Sequence, residues 1–131
     1  MRPQPLISVA DVEASSRWYQ RLLGCESAHG GKEYERLARD GVLILQLHNR
    51  AVEHHHGPIG DPTRPYGNGL LLWFEIDDFD TAVARVDELK AEIVMAPYDH
   101  TGASQREVWL RDLDGYVVVL SCPYGEAGPS S

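Results

Sequence analysis

Apolar and polar residues recur along this chain with two different periods, and the periods follow each other in the same order twice. Residues 5–9, Pro-Leu-Ile-Ser-Val, read as a short strand. Asp11 is a good helix N-cap, and Val12, Ser15, Ser16, Tyr19, Leu22 and Leu23 then recur at helical spacing, with Trp18 widening the apolar face and Gly24 as the stop. Weak strands at about 26–30 and 33–39, turned at Gly30-Gly31, come next. Asp40-Gly41 is a hairpin signal leading into the strongest strand of this half, Val42–His48. After residues 49–68 the succession returns. Gly69–Asp77 reads as a strand, and Asp78 or Asp80 caps a helix whose inner face is Phe79, Ala82, Val83, Val86 and Leu89. Residues 92–96 form a strand and Pro97–Ser104 a loop; Arg106–Asp112 is a strand, Leu113–Gly115 a turn and Tyr116–Ser121 the last strand.

Each half therefore reads β-α-β-β-β, and the match extends to particular residues. Val9-Ala10-Asp11-Val12-Glu13-Ala14-Ser15-Ser16 has the pattern of Ile76-Asp77-Asp78-Phe79-Asp80-Thr81-Ala82-Val83, and Asp40-Gly41 is echoed by Asp114-Gly115. A duplicated unit of this kind makes two similar surfaces that can face each other across a pocket, so function is expected where the halves meet. At 131 residues the chain is expected to be one α+β domain, with a first module at about 4–48, a linker at 49–68, a second module at about 69–122 and a frayed tail at 123–131.

Side chains on a strand alternate between faces. Leu70, Leu72, Phe74 and Ile76 make one wholly apolar face, suited to carry helices, while Leu71, Trp73, Glu75 and Asp77 make a mixed one. Leu43, Leu45 and Leu47 separate in the same way from Val42, Ile44, Gln46 and His48, and Glu107, Trp109 and Arg111 from Val108 and Leu110. A mixed face on an inner strand suits a ligand cavity. The expected lining is Gln4, Ser8, Gln46, His48, Trp73, Glu75, Trp109 and Arg111. The tryptophans offer stacking surfaces and attraction for a cation, and Glu75 a counter-charge. His48 is the candidate general base, because imidazole titrates near neutral pH, and Glu75 would orient it or share the proton.

Charge narrows the partners. A net charge of −8 argues against nucleic acid and anionic membrane surfaces, and would steer a cationic small molecule inward. The two cysteines, Cys25 and Cys122, make neither a disulfide framework nor a metal-type pair, which fits a reducing cytoplasm. No apolar run approaches the roughly 18 residues of a membrane span. His54-His55-His56 invites a metal reading, but adjacent side chains splay apart instead of converging on one ion, so an exposed loop is expected there.

In its ordered motifs the chain resembles the vicinal oxygen chelate superfamily, the glyoxalase/bleomycin-resistance/dioxygenase fold. The residues that carry the resemblance are Val9-Ala10-Asp11 with Trp18-Tyr19 and Leu22-Leu23-Gly24, then Gly41–His48, Glu75-Ile76-Asp77-Asp78, Arg106–Asp112 and Asp114-Gly115-Tyr116, over about residues 4–122. Leu113 stands where the family's turn usually has proline. The resemblance implies paired βαβββ modules, each half of a barrel around a cleft, and a homodimer. Metal-dependent members take their ligands from matching positions of the two modules, which fall here on Gln4, Gln46, Leu71 and Val119. Aliphatic side chains ligate nothing, so the resemblance implies a protein that has lost the metal and needs no cofactor. Two functions stay open: a small-molecule binder like the metal-free, bleomycin-resistance branch, which sequesters cationic aromatic drugs or antibiotics, and a lyase, isomerase or dioxygenase-type enzyme with a rearranged site.

Overall fold

A computed structural model describes residues 1–52, 59–61, 63–100 and 105–123, and for His100 the backbone alone. The chain divides into two compact units, Met1–Tyr66 and Gly67–Ser131, and the division falls inside the stretch expected as a linker. His54-His55-His56, the end of the expected loop at 101–104 and the tail after Pro123 lie outside the described residues.

The first unit runs β1 (Leu6–Val9), α1 (Val12–Leu23), β2 (Glu26–Ser27), β3 (Tyr34–Arg39) and β4 (Val42–Asn49). Its sheet has the order β1-β4-β3-β2, with β1 parallel to β4 and the other pairs antiparallel. The second unit repeats this plan as β5 (Leu71–Glu75), α2 (Phe79–Leu89), β6 (Glu92–His100), β7 (Gln105–Arg111) and β8 (Val117–Pro123), in the order β5-β8-β7-β6. The duplicated β-α-β-β-β pattern is thus a duplicated structure.

Both helices start on the same device. The Asp11 carboxylate accepts from Ala14 N at 3.0 Å, and that of Asp78, rather than Asp80, from Thr81 N at 3.0 Å and Thr81 Oγ1 at 2.8 Å. Their ends differ. Gly24 closes α1 at φ 64°, whereas Lys90 closes α2 at φ 52°, a left-handed conformation that costs a side-chain-bearing residue about 1 kcal/mol. The face of α1 read from the sequence is the face it buries: Val12, Ser15, Ser16, Trp18, Tyr19, Leu22 and Leu23. Leu37, Leu45 and Leu47 of the first sheet are fully buried, as are Val108, Leu110, Val118 and Leu120 of the second. Phe79, Ala82 and Val86 are the buried residues of α2, while Val83 and Leu89 are half-buried.

One expectation needs correction. Residues 97–100 are not loop, because β6 continues to His100. Pro97 suggested a break, since proline donates no ladder hydrogen bond. It sits on an edge strand, between Met95 and Tyr98 where the register against β7 shifts, and an edge strand at an irregularity tolerates proline.

Candidate functional site

Strand parity leaves each sheet with one face away from its helix, and these two open faces are built differently. In the first unit β1 and β4 pair Leu6 with Gln46 and Ser8 with His48, and β3 sets Arg36 and Tyr34 beside the same two residues. Several polar groups here are engaged within the unit. Gln46 Oε1 accepts from the Tyr34 hydroxyl, and its Nε2 donates to the Gln4 carbonyl at 2.9 Å. Gln4 itself is exposed, in a shallow hollow with Arg2, Pro3, Val42 and Leu43. Ser8 is 4% exposed, and its hydroxyl donates to the Ile59 carbonyl at 2.9 Å. His48 is equally buried, with Nδ1 2.9 Å from the Asn49 carbonyl. A carbonyl only accepts, so Nδ1 is placed to donate to it.

The open face of the second unit is a grid of three rows. Across β6, β7, β8 and β5 they read Glu92–Arg111–Val117–Leu71, Met95–Trp109–Val119–Trp73 and Tyr98–Glu107–Ser121–Glu75. Neighbours along a row are about 4.8 Å apart and rows about 7 Å apart. The middle row brings the two candidate tryptophans together. Trp73 and Trp109 meet edge to face, with centroids 6.2 Å apart and planes at 78°, and Trp73 stays 45% exposed. Glu75 ends the third row and is exposed. Arg111 is on this face too, one row beyond the tryptophans; its Nε lies 3.5 Å from Glu92 Oε2 and its NH1 donates to the Gly115 carbonyl at 2.9 Å.

Glu107 is the residue that sequence reasoning missed. It is 1% exposed, yet it carries a carboxylate on the open face. Oε1 accepts from the Tyr98 hydroxyl at 2.8 Å and Trp109 Nε1 at 2.9 Å, and Oε2 accepts from Gln105 Nε2 at 2.7 Å. The bond to Glu107 pushes the Tyr98 hydroxyl above its ordinary pKa, and its partial desolvation adds to that. The two-residue period of β7 already put Glu107 on the face of Trp109. Its depth, and the approach of Tyr98 from a segment expected as loop, were not legible.

The residues at the positions that the resemblance assigns to the metal do not suit a divalent cation. Leu71 and Val119 have no donor atom, and both ends of the Gln46 amide are taken. Among the described residues, no three His, Cys, Asp or Glu side chains are grouped to hold a metal, and no helix is long and apolar enough to cross a membrane.

Comparison with known proteins agrees with this architecture. The family model of the Glyoxalase/Bleomycin resistance protein/Dioxygenase superfamily matches residues 3–120. A curated relative, anthracycline biosynthesis protein DnrV of Streptomyces peucetius, is 27% identical over 106 residues; the match covers 76% of this chain but only 38% of that protein. Among solved structures, a protein from the mobile metagenome of V. pseudocholerae superposes with a TM-score of 0.73 at 24% identity, covering 96% of this chain and 95% of that one. A bleomycin resistance determinant encoded on the transposon Tn5 superposes at 0.68 and 18% identity, covering 95% and 98%. The repeated β-α-β-β-β units and a family match spanning both of them lead to one statement: this chain belongs to the glyoxalase/bleomycin-resistance/dioxygenase superfamily.

Proposed function

We propose that this protein binds a small aromatic organic molecule, cationic in its bound form, on the open face of the second sheet, without the metal used by other members of its family. The observation that carries the reading is the Trp73–Trp109 pair with Glu75 one row away. An exposed indole set on edge against a second indole offers a flat surface to a ligand ring. A carboxylate about 7 Å along the same strand offers a counter-charge to an ammonium carried by that ring. The net charge of −8 favours approach of a cation. The likeness to a protein named for anthracycline biosynthesis supports an antibiotic-type ligand. Sequestration is the role that such a site performs most simply, since binding alone accomplishes it.

We propose also that the protein is a homodimer. Ile93, Val94 and Met95 on the edge strand β6 are between 41% and 45% exposed, an apolar edge of the kind that soluble proteins cover. Light scattering on the purified chain would read a mass of two copies.

Tryptophan-emission titration tests the ligand reading with two flat probes, the cation 9-aminoacridine and neutral acridone. The cation is expected to quench emission saturably and to bind more tightly than acridone. Absence of saturable quenching by either probe, or equal quenching in Trp73→Ala, would contradict it.

A further inference from the structure

We infer that Glu107 is the positioning residue of this aromatic face: its carboxylate fixes the orientation of Trp109 and Tyr98, and thereby the shape a ligand meets, without touching the ligand. This inference rests on the binding reading above.

The geometry has three parts. Indole has a single hydrogen-bond donor, and that of Trp109 is held by Glu107 Oε1 at 2.9 Å, which sets the rotation of the ring about its bond to Cβ. Tyr98 donates to the same oxygen at 2.8 Å, so two aromatic rings from two strands are referenced to one atom. Gln105 at 2.7 Å holds the other oxygen, which prevents the carboxylate from turning. Tyr98 follows a shift in the register between β6 and β7, where the ladder defines the strand least, so the side-chain bond supplies definition that the backbone does not. Trp73 then packs its ring against Trp109 and takes its own orientation from it.

The chemistry makes a plain packing role a poor account of this residue. A carboxylate that is 1% exposed carries a desolvation cost that an apolar side chain of the same size avoids. In return, hydrogen bonds to an ionised acceptor are short and directional, and a binding face held in one conformation loses less entropy when a ligand arrives.

Two variants separate orientation from charge. Glu107→Gln keeps an oxygen for Trp109 and Tyr98, and Gln105 can turn its amide to match; Glu107→Met keeps the length and removes the acceptor. Two quantities are read: the Trp109 indole N–H resonance and its hydrogen-exchange protection in the ligand-free protein, and the dissociation constant for 9-aminoacridine. In Glu107→Met the resonance is expected to shift and lose protection, with affinity falling about tenfold. In Glu107→Gln the resonance is expected to stay protected, with affinity within about threefold of the parent. An unmoved, protected indole in Glu107→Met would overturn the inference. So would an equal loss of affinity in both variants with the indole in place, which would make Glu107 a source of charge only. If Glu107→Met fails to fold, a large loss of affinity in Glu107→Gln still overturns it. If the parent protein binds no 9-aminoacridine, the binding reading fails, and the indole resonances decide the positioning role separately.

Discussion

Glu35 on β3 and Glu107 on β7 occupy the third strand of their respective units, and both are buried, at 2% and 1% exposure. Their surroundings differ in kind. Glu35 pairs with Leu47 on the helix side of its sheet and is met by small or backbone donors: Ser16 Oγ from α1, Ser27 Oγ from β2, and the N–H groups of His29, Gly30 and Arg36. These contacts tie helix, edge strand and the Gly30-Gly31 turn together. Glu107 faces the opposite side of its sheet, and its donors are the large side chains Tyr98, Trp109 and Gln105. A buried carboxylate alone therefore says little about function. The kind of donor it holds separates a residue that secures the fold from one that shapes a surface.

The comparison breaks if the two carboxylates respond alike to removal. Glu35→Leu leaves two hydroxyls and three backbone N–H groups without their acceptor, and urea unfolding should show a loss of about 3 kcal/mol or more. Trp73→Ala on the other face should leave unfolding nearly unchanged, because Trp73 is 45% exposed, while weakening 9-aminoacridine by about 1 kcal/mol, some fivefold, in calorimetry. If Trp73→Ala unfolds as readily as Glu35→Leu, the division into a structural helix-side face and a binding face is lost.

Acidity sharpens the same contrast. Burial pushes the Glu35 carboxyl up, but the hydrogen bonds from Gly30, Ser27, Ser16 and Arg36 together outweigh it and hold the group below its ordinary value of 4.5. A depressed folded-state pKa means that the stability contributed by the carboxylate is complete above the unfolded-state value and drains away as pH falls through the folded-state one. The stability gap between the parent and Glu35→Gln should therefore be widest near neutral pH and narrow on acidification below about pH 4.5. A gap that stays constant would show that charge on Glu35 contributes nothing to folding. The smallest effect belongs to the helix ends: Lys90→Gly should raise the unfolding free energy by about 1 kcal/mol or less, because glycine enters the left-handed region without strain, as Gly24 does at the end of α1.

Most of the scaffold was legible in the sequence, for reasons that particular residues make plain. Asp11 and Gly24 bracket α1 as local chemistry requires, and the leucines of β4 recur with the period of a strand that buries one face. The Asp114-Gly115 turn reads correctly although Leu113 replaces proline, because Asp112 accepts from the N–H groups of Asp114 and Tyr116, at 2.9 Å each. Pro97 misled, since local propensity does not show whether a strand lies at an edge. The candidate site was half legible. Period two placed Trp73, Glu75, Trp109 and Arg111 on one face. Ser8, Gln46 and His48 also fall on an open face, but there the Ser8 hydroxyl, the Gln46 amide and His48 Nδ1 meet Ile59, Tyr34, Gln4 and Asn49. For Ser8 and Gln46 such engagement depends on contacts between residues distant in sequence, which no periodicity reports.

The central claim is that the ligand surface is the Trp73–Trp109 face of the second sheet. The most direct measurement follows the backbone and indole N–H resonances during titration with 9-aminoacridine, with Trp18, buried at 8% exposure on α1, as an internal control among the three tryptophans. The account predicts that the indoles of Trp73 and Trp109 and the amides around Glu75, Ser121 and Val119 move together with one dissociation constant, while Trp18 stays still. Shifts concentrated instead around Tyr34, Gln46 and His48, with the Trp73 and Trp109 indoles unmoved, would contradict it.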